Sequence, residues 1–241
     1  MSEILTELDQ IIGRRWKEFA GRSELAAILQ SGALTDRRAL AMHLVQAWHL
    51  TWHTTRNQGL VGVNPANIDL QYMRYSFRHA LEEVGHEQMA LHDLRALGLR
   101  VEDPERDLPP ALPATEQLLA WLYWVSTRGN PVARLGYSYW AERAYPYGGP
   151  YLRMVQEGMR LEPHQITFYS VHARIDERHG QEVGEAIASS CRTEADRDAV
   201  RRTLEVTMGL TFAQVLEEWA EYQRLLAGTI TPYSSLWAIP R

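Results

Sequence analysis

The sequence predicts an all-α fold. Three observations support this: apolar residues recur at helical spacing along most of the 241 residues, strand-like words are scarce, and glycine and proline cluster between long periodic runs. The best β-like word, ITFYSV at 166–171, continues without a break into a helical pattern through His172 and Asp176.

From Ser2 to about Ala20, Ile4, Leu5, Leu8, Ile11, Ile12, Trp16 and Phe19 form the apolar face of an amphipathic helix that Gly21 stops. A short helix follows from Ser23 to Gln30. The SGALTDRR word then predicts a turn and a new helix start, with Thr35 as N-cap and Asp36 in the first turn. That helix runs to about Arg56 through Leu40, Leu44, Trp48 and Trp52, before Gly59, Gly62, Asn64 and Pro65 break the chain. One long helix is expected from about Ala66 to Leu97, closed by Gly98, and RVEDPERDLPPALPAT reads as a proline-rich surface crossing. Glu116 to about Thr127 is a further run. Gly129, Asn130 and Pro131 interrupt it before a helix bearing Tyr137, Trp140 and Glu142, which Pro146, Gly148, Gly149 and Pro150 are expected to end. A short helix through Leu152 and Met159 precedes two long ones, from Pro163 to about Ser189 and from Glu194 to about Leu226. Residues 227–241 read as an irregular tail on a single domain spanning 1–241.

Composition narrows the function classes. Apolar residues make up 45% and charged residues 23%, a globular balance, and no window approaches the roughly 18 apolar residues of a membrane span. The first residues lack the pattern of a signal peptide, so a cytoplasmic protein is expected. A net charge of −5 argues against nucleic acid as a partner. The single cysteine, Cys191, excludes an internal disulfide framework and a cysteine-based zinc site, and Lys17, the sole lysine, lies among charged neighbours ill-suited to Schiff-base chemistry.

The 9 histidines are more informative. RHALEEVGHEQMALHDL holds His79, Glu83 and His86 as H-x3-E-x2-H, and VHARIDERHG holds His172, Asp176 and His179 as H-x3-D-x2-H. At roughly 100° per residue, each middle residue lies about 40° to one side of the first and each last residue about 20° to the other, a single stripe. Two such stripes packed face to face would converge on one point, as metal sites in helical bundles do. Mixed imidazole and carboxylate donors suit Fe(II), Mn(II) or Zn(II), and several carboxylates favour iron or manganese. A single trio of this kind is an ordinary surface or core pattern; two matching trios with apolar neighbours point to a shared site. Glu142, in YSYWAERAY, is a third candidate because a carboxylate among aromatics needs a partner, although Arg143 beside it offers a surface ion pair instead. His49 and His53, one turn apart, form a further wall. Glu82, Glu87, Glu177 and Arg178 are displaced from the stripes and are expected to face solvent or orient a ligand, and His92 is displaced likewise.

These words, together with SGALTDRRALAMHLVQAWHLTWH, resemble the haem-oxygenase-like diiron oxidases and oxygenases, whose helical fold is shared with thiaminase-like and pyrroloquinoline-quinone-synthase-like proteins. The resemblance runs from about Ser31 to Tyr222. It implies a compact bundle of long antiparallel helices and iron ligation by His86, Glu142, His172, Asp176 and His179, with Glu83 completing an E-x2-H pair; His79, from the spacing of its trio, is a candidate additional ligand. Relatives commonly add a carboxylate from the stretch matching Leu40 to Arg56; here it has none, which implies substitution by His49 or His53, or a more loosely held second iron. The implied activity is a non-haem, two-Fe(II), dioxygen-dependent oxidation of a small carboxylic acid or amino acid: desaturation, oxidative cleavage or N-oxygenation, with an external electron donor as a further partner. Trp48, Trp52, Tyr137, Trp140, Phe168 and Tyr169 are candidate walls for an aromatic or extended apolar side chain. Arg56, Arg74, Arg78, Arg134 and Arg174 are equally placed to clamp a carboxylate. A metal-free enzyme of the thiaminase-like or quinone-synthase-like type and a non-catalytic metal-binding or interaction module are the alternatives, and the first helix and tail leave a homodimer open.

Overall fold

A computed structural model describes residues 3–240, without the side chains of 174–177. All regular structure among the described residues is helical. The first helix, α1 (Glu3–Ala20), buries Ile4, Leu8, Ile11, Ile12 and Phe19, a stripe at helical period, and α2 (Ser23–Gln30) buries Leu25 and Ile28.

Asp36, rather than Thr35, caps α3 (Arg37–Val63), its carboxylate accepting the Arg38 N–H at 2.9 Å. Thr35 instead ends a 3-10 turn and donates its hydroxyl to the Gly32 carbonyl at 2.8 Å. The helix also passes the expected stop near Arg56 and runs through Gly59 and Gly62. Gly62 is there for contact: a Cβ would lie 2.7 Å from the Phe77 ring, which rests on the backbone of α3.

The run expected as one helix from Ala66 to Leu97 is two, α4 (Leu70–Glu82) and α5 (His86–Ala96). Glu83, Val84 and Gly85 form the turn between them, with Gly85 at φ 90, a left-handed conformation open to glycine at little steric cost. One turn, α6 (Pro104–Asp107), interrupts the proline-rich crossing. Next come α7 (Pro113–Thr127) and α8 (Leu135–Ala141). The proline and glycine cluster at 146–150 does not end a helix but opens one, α9 (Tyr145–Met159). Pro146 sits in the first turn, where a missing N–H is no loss, and Pro150 leaves one carbonyl of that turn unbonded.

Two long helices complete the bundle: α10 (Thr167–Ser190) and α11 (Glu194–Leu226), the latter started by a Thr193/Asp196 capping box. The tail carries a 3-10 stretch, Pro232–Ala238, pinned where the Gln46 amide donates to the Tyr233 hydroxyl at 2.7 Å. The core gathers around α3, packed on α4, α5 and α7, and around α11, packed on α7 and α8, while α10 lies against α5 and α8. Leu44, Val45, Leu94, Leu135, Leu204 and Met208 are fully buried there, each stabilising by about 1.5–3 kcal/mol. Among the described residues no helix is long and apolar enough to cross a membrane.

Candidate metal centre

Four elements aim acidic and imidazole side chains at one interior region. Asp69 starts α4 by accepting the Gln71 and Tyr72 N–H groups, and the last turn of that helix buries His79. Glu83 follows as the C-cap residue, its N–H bonded to the His79 carbonyl at 3.1 Å. The Gly85 turn reverses the backbone so that α5 begins at His86. Glu142 caps the C-terminus of α8. On α10, His172 and His179 stand seven residues apart, almost two full turns, and therefore share a face.

The result is two groups that share one carboxylate. His79, Glu83, Glu142 and His179 form the first and Glu83, His86 and His172 the second, with the donor atoms in each within 4.8 Å of one another. Glu83 divides its oxygens between them. Its Oε1 lies 3.9 Å from both His79 Nε2 and His179 Nδ1, while Oε2 lies 3.1 Å from His86 Nδ1. Glu142 spans the first group, with Oε1 at 3.4 Å from His79 Nε2 and Oε2 at 3.5 Å from His179 Nδ1. The His86 and His172 rings meet edge to face at 4.9 Å.

The imidazoles are oriented from behind. His172 Nδ1 donates to the Phe168 carbonyl at 2.6 Å, which leaves Nε2 for the centre. His79 Nδ1 lies 3.4 Å from the Tyr75 hydroxyl. His179 Nε2 faces Glu82 Oε2 at 3.2 Å and Arg178 Nη2 at 2.9 Å, so both residues act on the outer edge of that ring. Burial pushes His79 down to about 4, keeping its lone pair free, and also lowers His172. Glu142 lifts His179, whereas for His86 burial opposes protonation and Glu83 outweighs it. Burial pushes Glu83 up, yet the neighbouring imidazoles hold it below its ordinary value; Glu142, also buried, ends above its own.

This donor set fits a divalent cation. His79 Nε2, His86 Nδ1 and His179 Nδ1 are buried and, among the described residues, make no hydrogen bond even though carboxylate oxygens are within 4 Å. An orphaned buried polar atom costs about 1–3 kcal/mol, and a cation drawing all these lone pairs inward removes that penalty. Imidazole with carboxylate is the donor chemistry of iron, manganese and zinc.

Of the residues singled out in the sequence, Glu83, His86, Glu142, His172 and His179 are brought together, with His79. They do not lie on one stripe per helix, because the first trio straddles the break between α4 and α5. Asp176 lies outside the described residues. His49 and His53 point elsewhere, to the Pro109 carbonyl at 2.9 Å and the Tyr123 hydroxyl at 2.8 Å, and His92 is beside Asp93 near the surface. Arg134 is almost fully buried, held by Asn57 and Ser138 and stacked over Tyr137.

A cavity of about 440 Å³ opens against the second group, with His172 in its wall. Of the aromatic residues named from the sequence, Trp140, Phe168 and Tyr169 line it, whereas Trp48, Trp52 and Tyr137 do not. Trp48 is core, Trp52 carries the Arg56 guanidinium 3.4 Å above its ring, and Tyr137 supports Arg134. The opposite wall comes from parts of the chain that no local motif marked, among them Trp16, Phe19 and Leu25 from the first two helices.

Known proteins share this fold. Residues 41–211 match the family described as iron-containing redox enzymes. A structure from Shewanella denitrificans, described as a domain of unknown function with a haem-oxygenase-like fold, is 37% identical, with a TM-score of 0.87 over 93% of this chain and 96% of its own. TenA homologues from Pseudomonas syringae (13% identity, TM-score 0.69, 91% of this chain and 93% of that one) and Pyrococcus furiosus (14%, 0.65, 88% and 99%) share the fold. No curated protein matches. An all-helical bundle of this topology, matched over most of its length, belongs to the haem-oxygenase-like family of iron-containing redox enzymes.

Proposed function

We propose that this protein is a non-haem diiron oxidoreductase that uses dioxygen to desaturate, cleave or N-oxygenate a small carboxylic acid or amino acid with a bulky apolar body. The observation that supports this reading best is Glu83, whose two oxygens face two different sets of imidazoles. A carboxylate so placed suits a bridge between cations. His79, Glu142 and His179 would hold one iron and His86 and His172 the other, with Asp176 as a further ligand by family resemblance. Bound iron would supply the redox chemistry with dioxygen that side chains lack.

The chain's own contribution is positional. The cavity receives the apolar body of the substrate and excludes water from the face of His172. His172 is fixed by its bond to Phe168, a residue that also lines the cavity, so the bound substrate and the second group share one wall. An external electron donor would complete turnovers that consume more electrons than the substrate yields.

The test is anaerobic titration of metal-free protein with Fe(II), followed by dioxygen in the presence of a panel of aliphatic and aromatic carboxylic and amino acids. Binding of about two irons per chain and oxygen uptake coupled to an oxidised product are expected. Retention of no iron, or oxygen uptake that yields only ferric ion, would overturn the proposal.

A further inference from the structure

The cavity that reaches His172 has a second polar point. Its walls are largely apolar, built from residues such as Leu25, Ile28, Leu40, Trp140, Val155 and Phe168. Among them stand His43 of α3 and Glu218 of α11, 175 residues apart in sequence. His43 Nδ1 lies 3.0 and 2.9 Å from the two Glu218 oxygens. Gln214, one turn earlier on α11, donates to Glu218 Oε1 at 2.8 Å. The Tyr169 ring stacks on His43 at 5.8 Å and 13°, so the imidazole is held along one edge and over one face.

Packing alone does not account for such a pair. An ion pair withdrawn from water is often no more stable than apolar groups of the same size, and apolar groups surround this one. His43 nevertheless keeps 35% of its side-chain surface accessible while lining the cavity. With Nδ1 engaged, Nε2 has no hydrogen-bond partner among the described residues. That nitrogen is the atom of the ring left for an occupant.

The chemistry of Nε2 selects the occupant. Nδ1–H is directed at Glu218, so Nε2 accepts a hydrogen bond when the ring is neutral and donates one when it is protonated. A hydroxyl serves both states, since it donates and accepts. A carboxylate can be bound only by the protonated ring and then lies across it from the Glu218 charge, while an ammonium is refused by Nε2 whenever the ring is protonated.

We propose that His43, held by Glu218, Gln214 and Tyr169, is a specificity-determining residue that binds a hydroxyl group carried on the apolar body of the substrate lying in the cavity beside His172. Tyr169 and His172 are three residues apart on α10, a rise of about 4.5 Å, so one small substrate can reach both points. The assignment rests on the reading of this cavity as the substrate chamber of the metal centre.

The test uses metal-free, full-length protein with 4-propylphenol and propylbenzene as probes, which differ only in the hydroxyl. Fluorescence of Trp16, Trp140 and Trp219, all in the cavity wall, reports binding. Wild type is expected to bind the phenol about tenfold more tightly than the hydrocarbon. H43F keeps the ring and its stacking and is expected to lose that preference while binding the hydrocarbon to within about twofold of wild type. H43Q, which retains an amide donor, should keep part of it. Should H43F fail to fold by circular dichroism, H43M supplies the same comparison. Equal affinities in wild type, a preference that survives removal of the imidazole, or no binding of either probe would overturn the proposal. Since no metal is present, a failure of the iron assignment leaves this result unchanged, and a failure here leaves iron binding unchanged.

Discussion

Replacing Glu83 with glutamine isolates the most exacting feature of the centre. The substitution keeps the size and shape of a buried side chain but leaves one oxygen where there were two, and an amide cannot bridge. His79, Glu142 and His179 then remain for one cation, and His86 and His172 for the other. Loss of even a supporting residue typically costs 10–100-fold in metal affinity, so loss of a shared ligand is expected to empty the two-imidazole group and weaken the other, reducing iron from about two per chain to about one or fewer.

The same change can be read thermally. Metal that binds only the folded state, supplied at about 100 times its dissociation constant, stabilises by about 2.7 kcal/mol. For a chain of this size that corresponds to a rise in Tm of about 5–11 °C for one site and about twice that for two. Anaerobic differential scanning fluorimetry with Fe(II), and with Mn(II) as a less oxidisable substitute, should show that rise in wild type. In E83Q it should fall to less than half of that. H172A, which leaves the four-residue group whole, should retain an intermediate shift. Wild-type iron content and an unreduced thermal shift in E83Q, with its helical circular dichroism intact, would refute the shared-carboxylate reasoning.

Three further outcomes follow from the fold. Asp93 of α5 is fully buried and accepts the Thr167 N–H at 3.0 Å, the Thr167 hydroxyl at 2.6 Å and the Phe168 N–H at 2.8 Å, so D93A should destabilise by about 3 kcal/mol and lower Tm in thermal unfolding by about 6–12 °C. Gly136 lies against α11, where a Cβ would be 2.2 Å from the Val200 carbonyl oxygen and 2.8 Å from the Leu204 nitrogen; because both are helix backbone, G136A should cost about 3 kcal/mol or more in chemical denaturation, against the fraction of a kilocalorie that alanine ordinarily gains in a helix. Burial pushes the Cys191 thiol up to about 12, so iodoacetamide at pH 8 should alkylate the native protein roughly a thousandfold more slowly than the urea-unfolded chain, as followed by mass spectrometry.

Periodicity and punctuation made the helical character legible, because each long helix buries an apolar stripe whose spacing is local information. Its breaks were less so. Gly85 was visible in the EVGHE word, but a single glycine inside a helical pattern is usually tolerated, and only the structure shows it at positive φ. The reverse holds at 146–150, where prolines and glycines that look like a terminator lie in the opening turns of α9, with Gly148 and Gly149 in the cavity wall. The H-x3-E-x2-H spacing pointed at residues that do converge, though through a turn between two helices. His43 and Glu218 carry no signal at all: their contact joins α3 to α11, and nothing near either residue announces the other.

The position of Asp93 shows how the centre holds its geometry without a strand or a disulfide among the described residues. On α5, His86 and Asp93 are seven residues apart, as His172 and His179 are on α10, so each helix repeats its inward face after two turns. His86 meets His172 directly at 4.9 Å, and Asp93 clamps the backbone where α10 begins. The N-terminus of α10 has no cap from its own N-cap residue; Ile166 stands there, and the acceptor comes from α5 instead. A ligand on one helix and the start of the other are therefore fixed by the same short element. Displacing α5 would move His86 and, through Asp93, the register of His172 and His179 together. This coupling predicts that D93A, though Asp93 is not itself a proposed ligand, weakens Fe(II) binding as well as folding. D93N, which keeps one acceptor oxygen, should lie between it and wild type in both measurements, whereas a loss of stability with no loss of iron affinity would separate the clamp from the centre.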